Sequence, residues 1–262
     1  MATQSTYDYK KFSRSSKAAP SIQQILQQAR FELLLTARRG ENVLVTLIIP
    51  VLLFIFFTSL NLVPSKNGGP AGFLLPGILA IAIMAAGMVN LGIATAYERY
   101  YGVLKRLGSS PLSRSGLISA KIISILILEI VQVVLLVGVA LALYGWRPMG
   151  SVGLTLLAIL LGTITFAGLG LAMAGALRAE MTLAGANALF LIFILLGGGI
   201  LPLNRLPAPL AGVADILPET ALTQALQQTM STGGGFPSGA FLTLVVWAVI
   251  VLAVAVRTFK WE

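Results

Sequence analysis

Residues 117–144 read LISAKIISILILEIVQVVLLVGVALALY, an apolar run in which Lys121 and Glu129 are the only charged side chains. About 20 apolar residues in a helix cross the roughly 30 Å hydrocarbon layer of a bilayer, so this run is long enough to span it. Five further segments have the same character: Val43–Leu62, Phe73–Ala96, Val152–Leu177, Met181–Leu201 and Phe236–Val256. The composition agrees. Of 262 residues, 57% are hydrophobic and 10% charged, with a mean hydropathy of +0.91. A soluble domain needs about 25% charged residues to build its wetted surface. The predicted fold is an all-α polytopic membrane protein with six transmembrane helices, covering residues 43–256 and surrounded by membrane lipid.

The chain contains neither Cys nor His. That excludes a disulfide framework, a thiolate nucleophile, a Cys/His zinc site and a His general base. Acidic residues are scattered singly, so no metal site and no catalytic residues are predicted, and the chain does not read as an enzyme. The net charge of +9 arises from an uneven distribution. With six spans, fifteen of the 18 basic residues fall on the side that holds both termini. Only Lys66, Arg147 and Arg205 fall on the other. Basic residues accumulate in cytoplasmic loops, so both termini are expected inside and no nucleic acid is needed to explain the charge.

Residues 1–20 are polar and basic (Lys10, Lys11, Arg14, Lys17) and read as a mobile cytoplasmic tail. The first apolar run begins only at Val43, too late for a cleavable signal peptide, so it is expected to be a retained span. Residues 21–39 read as an amphipathic helix opened by a Ser21–Gln24 capping box. Ile22, Ile25, Leu26, Ala29 and Leu33 recur on one face, the pattern of a helix lying in the membrane interface. Residues 257–262 form a short cytoplasmic C-terminus.

Two connections are long enough to carry function. The inner one, residues 97–116, includes Glu98-Arg99-Tyr100-Tyr101-Gly102-Val103-Leu104-Lys105-Arg106-Leu107. Tyr97, Tyr100, Leu104 and Leu107 share a helical face, Gly108 is placed to end the helix, and Pro111 prevents its continuation. The outer one, residues 202–235, follows the glycine run Gly197-Gly198-Gly199. Leu206, Leu210, Val213 and Leu217 form one stripe; Leu222, Leu226 and Met230 form a second after a helix start at Pro218. Both helices are too short to cross a bilayer, so they should dip into it or lie on it.

The segment Glu98-Arg99-x-x-Gly102-x-Leu104-Lys105-x-Leu107, followed by Pro111-Leu112-Ser113, resembles the cytoplasmic loop of ABC type-2 transporter permeases. This is the exporter class that includes the daunorubicin/multidrug permeases. The glycine-rich end of the fifth span and the short external re-entrant helices before the last span are similar too. The resemblance implies a permease subunit in a bacterial plasma (inner) membrane, paired with a second copy or a paralogue. It also implies cytoplasmic ABC ATPase subunits touching the loop, which would be the coupling helix. Glu98, Arg99, Gly102, Leu104, Lys105, Arg106 and Leu107 are then the ATPase-coupling residues, with Leu104 and Leu107 as apolar anchors. A P-loop needs Gly before its Lys, and no lysine here follows a glycine. ATP and magnesium are therefore expected on the partner, with no cofactor in this chain. Drugs, antibiotics and lipid-like amphiphiles suit an apolar interior as cargo, with polysaccharides and peptides as the alternative cargo classes of similar exporters.

Glu129 lies about 18 Å along the helix from Leu117 at 1.5 Å per residue, near the bilayer midplane. A carboxylate there should face protein or water, and Gln132 one turn onward marks the same polar face. The pair are substrate-path candidates, or packing residues hydrogen-bonded to a neighbouring span. A stand-alone ion-coupled carrier using Glu129 is the alternative function. Lys121, nearer the cytoplasmic end, reads as a snorkelling side chain. The fourth span carries Gly162, Gly168, Gly170, Ala172, Ala174 and Gly175, suited to close helix packing within a subunit or between two.

The charge distribution generates a topology test. With no native cysteine, Ser109→Cys is the only thiol, and it should resist an impermeant maleimide added outside intact cells. Labelling from outside would reverse the predicted orientation.

Overall fold

The computed structural model describes residues 19–38, 40–60, 69–200, 207–231 and 235–259. Among them every regular element is helical. Helices α1 (Ser21–Arg38) and α2 (Gly40–Ser59) come first. Next, α3 (Gly69–Met84), a π-helical stretch (Ala85–Leu91) and α4 (Gly92–Tyr100) join into one rod. Short α5 (Val103–Leu107) precedes α6 (Arg114–Tyr144), α7 (Val152–Ala176) and α8 (Ala179–Leu196). The short α9 (Ala208–Ala214) and α10 (Pro218–Met230) lead to α11 (Ser238–Thr258).

Among the described residues five helices are long and apolar enough to cross a membrane: Gly69–Tyr100, Arg114–Tyr144, Val152–Ala176, Ala179–Leu196 and Ser238–Thr258. They match five of the six expected spans. The remaining one, Val43–Leu62, falls on α2, whose apolar stretch among the described residues is the shorter Thr46–Ser59. Of the expected tail, residues 1–20, all but Ala19 and Pro20 lie outside the described residues.

The helix ends follow local chemistry. Ser113 caps α6 by accepting a hydrogen bond from the Gly116 N–H at 3.0 Å, and Gly145 ends it with a left-handed φ of 61°. The Ser21–Gln24 capping box does not form. Instead the Pro20 carbonyl accepts from the N–H groups of Gln23 and Gln24, and the Gln24 side chain donates to the Ala19 carbonyl.

Helix α7 is the central post. It packs against α11, the π-helical stretch, α4 and α10. A Cβ added at Gly170 would lie 2.6 Å from the Gly87 carbonyl oxygen and 2.8 Å from that of Met88. One at Gly168 would lie 2.6 Å from a Val251 methyl, and one at Gly175 2.9 Å from the Thr258 backbone. Gly162 admits the Leu222 side chain of α10 in the same way. The small residues of this span are thus used within the chain, letting backbones approach where lipid offers no hydrophobic drive to association.

Helix α1 packs on α6. Ala29 and Glu32 are buried, while Ile22 and Leu26 are exposed beside Phe31, Leu34, Arg30 and Arg38. A buried charge on α6, described below, draws Glu32 inward. Large apolar side chains of α2, α8 and α11, such as Phe56, Leu195 and Val249, also point outward.

The glycine contacts generate a stability test. Gly170→Ala should push α7 off the π-helical stretch and cost about 1–3 kcal/mol, seen as a lower melting temperature in detergent. Gly138→Ala, where no heavy atom lies within 4 Å, should not lower it.

Candidate functional site

At its C-terminal end the α3–α4 rod turns back through Tyr101 and Gly102 into α5. Gly102 has φ 72°, the left-handed region that glycine adopts without strain. This turn breaks the single helical face predicted for Tyr97, Tyr100, Leu104 and Leu107. Tyr100 and Tyr101 are exposed by 64% and 69%, whereas Leu104 is 1% exposed. Leu104 packs in a buried cluster with Leu117 and Ile118 of α6, Leu171 of α7 and Ala255 of α11, with Leu107 at its edge. It anchors the elbow to the chain's own core, so the outward surface consists of Tyr100, Tyr101, Val103, Lys105 and Arg106. The rings of Tyr97 and Tyr101 stack at 6.1 Å, and Tyr100 meets Tyr101 edge-on at 5.2 Å.

Two charged side chains tie the same elbow to other helices. Arg99 donates from Nη1 to the Gly175 carbonyl at 2.7 Å and from Nη2 to the Leu177 carbonyl. These carbonyls end α7, where unsatisfied oxygens and the helix dipole favour a cation. Glu98 receives Lys121 Nζ at 2.7 Å, and the same ammonium reaches Glu32 of α1 at 3.0 Å. Gln28 Nε2 donates to Glu32 at 3.0 Å. Lys121 is 1% exposed, so it does not snorkel. A charge withdrawn from water needs paired charges to offset its desolvation, and two carboxylates on two other helices supply them. The partners Glu32 and Glu98 lie far away in the chain and are joined to Lys121 only by packing. Beside this triad is a cavity of about 80 Å³ lined partly by Glu32, Thr36, Asn90, Glu98, Lys121 and Ser124.

Glu129 is buried against α7, where Thr163 Oγ1 donates to Oε2, and Oε1 has no partner among the described residues. Gln132 Nε2 donates to the Thr46 carbonyl of α2 at 2.7 Å. The two side chains therefore bridge α6 to two neighbours, and neither lines the cavity beside Lys121.

At the other end of the bundle, α10 starts at Pro218 as predicted and buries Leu222 and Leu226 completely. Helix α9 leaves Leu210 and Val213 exposed, with Leu217 half-buried; Leu206 lies outside the described residues. Trp247 Nε1 of α11 donates to the Ile216 carbonyl at 2.9 Å, fixing the α9–α10 link. Glu219, which the sequence marks only as part of the Pro218–Glu219 helix start, is wholly buried beneath Gly197–Gly199. The run of three glycines was the available signal of a close approach.

The family description "ABC-2 type transporter" matches residues 23–231 of the chain. Over 202 residues the chain is 27% identical to a Bacillus subtilis protein named as the transport permease YvfS, covering 73% of this chain and 79% of that one. Over 186 residues it is 26% identical to an Escherichia coli K12 protein named as the multidrug ABC transporter permease YbhS, covering 70% and 48%. Over 205 residues it is 26% identical to ABC transporter G family member 20 of Dictyostelium discoideum, covering 74% of this chain and 28% of that one. The chain thus spans most of the first relative and about half or less of the other two.

The ion triad generates a paired test. Lys121→Met leaves two carboxylates facing each other without their cation and should cost about 3 kcal/mol. The triple variant Glu32→Gln, Glu98→Gln, Lys121→Met removes every charge and should recover most of that loss. Melting temperatures in detergent measure both, and an unchanged value for Lys121→Met would show that the triad contributes nothing.

Proposed function

The chain belongs to the ABC-2 type transporter family, and we propose that it is the membrane-spanning permease subunit of an ATP-driven exporter. A separate cytoplasmic ABC ATPase hydrolyses the ATP. The observation that carries this reading is the α4–α5 elbow. It offers an exposed surface of Tyr100, Tyr101, Val103, Lys105 and Arg106. Behind that surface it is tied to α7 by Arg99, to α1 and α6 by the Glu98–Lys121–Glu32 triad, and to the inner core by Leu104. A push delivered to the elbow reaches four helices at once. In this reading Arg99, Glu98 and Leu104 transmit the load, while Tyr100, Lys105 and Arg106 meet the ATPase.

Within the same proposal α2 is the sixth span. Its 20 residues extend about 30 Å at 1.5 Å per residue, the thickness of the hydrocarbon layer. Both termini and the elbow then face the cytoplasm of a bacterial inner membrane, and α9 and α10 face outward as re-entrant helices. Cargo crosses between this permease and a second copy or paralogue. Amphiphilic small molecules fit as cargo because the spans are apolar and a relative is named for multidrug transport. A stand-alone carrier would need Glu129 in a wet path; its bond to Thr163 favours the ATP-driven reading.

The double variant Tyr100→Asp, Arg106→Glu alters only exposed side chains. It should keep the wild-type melting temperature yet lose copurification with the ATPase and at least about tenfold of export, a loss equivalent to about 1.4 kcal/mol of coupling. Full copurification and export by that variant would remove the elbow as the docking surface.

A further inference from the structure

Glu219 is the second residue of α10 and is fully buried. Thr223 Oγ1 donates to its Oε1 at 3.1 Å, while Oε2 has no partner among the described residues. The carboxyl group lies under the glycine run that ends α8. A Cβ at Gly197 would fall 1.0 Å from Oε2, and one at Gly199 would lie 3.3 Å from Oε1. Gly199 rests in turn on α3, where a Cβ at Gly77 would meet its carbonyl oxygen at 1.9 Å. Backbones from α3 and the end of α8 therefore close over one carboxyl group, and the contact admits only glycine.

Among the described residues nothing charged answers that group. Helices α3, α7, α8 and α11 pack against α10. Neither α3 nor α7 contains a charged residue, and α10 contains no other. The charged residues of α8 and α11 are Glu180 and Arg257, each at the opposite end of its helix. Asp215, at the end of α9, is exposed. A buried carboxylate with an unpaired oxygen and no cation is costly, whereas a neutral carboxyl group in the same place costs far less.

We propose that Glu219 is a proton-binding site that holds the outer end of α8 closed on α10. Protonated, it allows Gly197–Gly199 to seat over it. Ionised, it releases its proton to bulk water, requires hydration, and the glycine run lifts. Burial pushes the Glu219 carboxyl from 4.5 up to about 8, with the Thr223 hydrogen bond opposing only in part. In the lifted state the exposed carboxyl returns to its ordinary range. Closure is then strongest below about 4.5, weakens as pH rises between the two values, and is flat above about 8. The steepest change one proton allows is about tenfold per pH unit. This inference depends on neither the cargo nor the ATPase.

The test uses the full chain purified in detergent. Ile200→Cys, at the end of the glycine run, reports opening, and Ile216→Cys, 66% exposed, is the reference. Dividing the maleimide rate of the first by that of the second cancels the titration common to both thiols. The ratio should rise severalfold between about pH 6 and pH 8.5 with Glu219 present. In Glu219→Gln, which keeps the shape without the charge, the ratio should stay at its low-pH value throughout. If Glu219→Gln lowers the melting temperature, Glu219→Met is read in its place. A flat ratio with Glu219 present, or the same rise in both neutral variants, would overturn the proposal.

Discussion

Backbone contact along α7 is the constraint on which the rest of the structure depends. In lipid, apolar side chains gain little by meeting one another, so helices hold together by dispersion at short range and by the few polar groups they can pair. Gly162, Gly168, Gly170 and Gly175 remove the side chains that would hold α10, α11 and the α3–α4 rod at a distance. Polar tethers then fix the register. Thr163 bonds Glu129 of α6, and Thr165 Oγ1 reaches the Leu244 carbonyl of α11 at 3.3 Å. With α7 fixed in this way, the ends of every neighbouring helix are placed.

The inner elbow exploits that placement with three different kinds of contact. Arg99 satisfies carbonyls at the end of α7, Lys121 gathers carboxylates from α1 and α4, and Leu104 is held by apolar packing. Each ends on a different part of the bundle, and each resists being pulled away for its own physical reason. Movement of the elbow therefore strains every helix to which it is tied.

The outer end is built on the opposite principle. At the inner end buried charge is matched, with one ammonium between two carboxylates. At the other end Glu219 is buried with no cation beside it among the described residues, and closeness to glycine backbones takes the place of charge pairing. A matched cluster holds over a wide pH range, while a lone carboxyl group holds only when protonated. The two ends of one bundle thus differ in how firmly they are shut.

The sequence by itself determined the solvent, the helical class and the order of the elements. Hydropathy over runs of about 20 residues reports what surrounds a segment whatever its neighbours are. Five of the six expected spans, the Pro218 helix start and the buried Leu222–Leu226 stripe were legible for that reason. So was the inner connection, because its charges and Gly102 stand out locally. Which way side chains face there was not legible. Gly102 turns the chain, so Tyr100 and Leu104, assigned to one face, point apart. Lys121 found Glu32 and Glu98, and Glu219 found Gly197, across long stretches of chain. Such pairings arise only when α7 brings the helices together. A buried charge selects its partner by distance, and distance is a property of the tertiary structure alone.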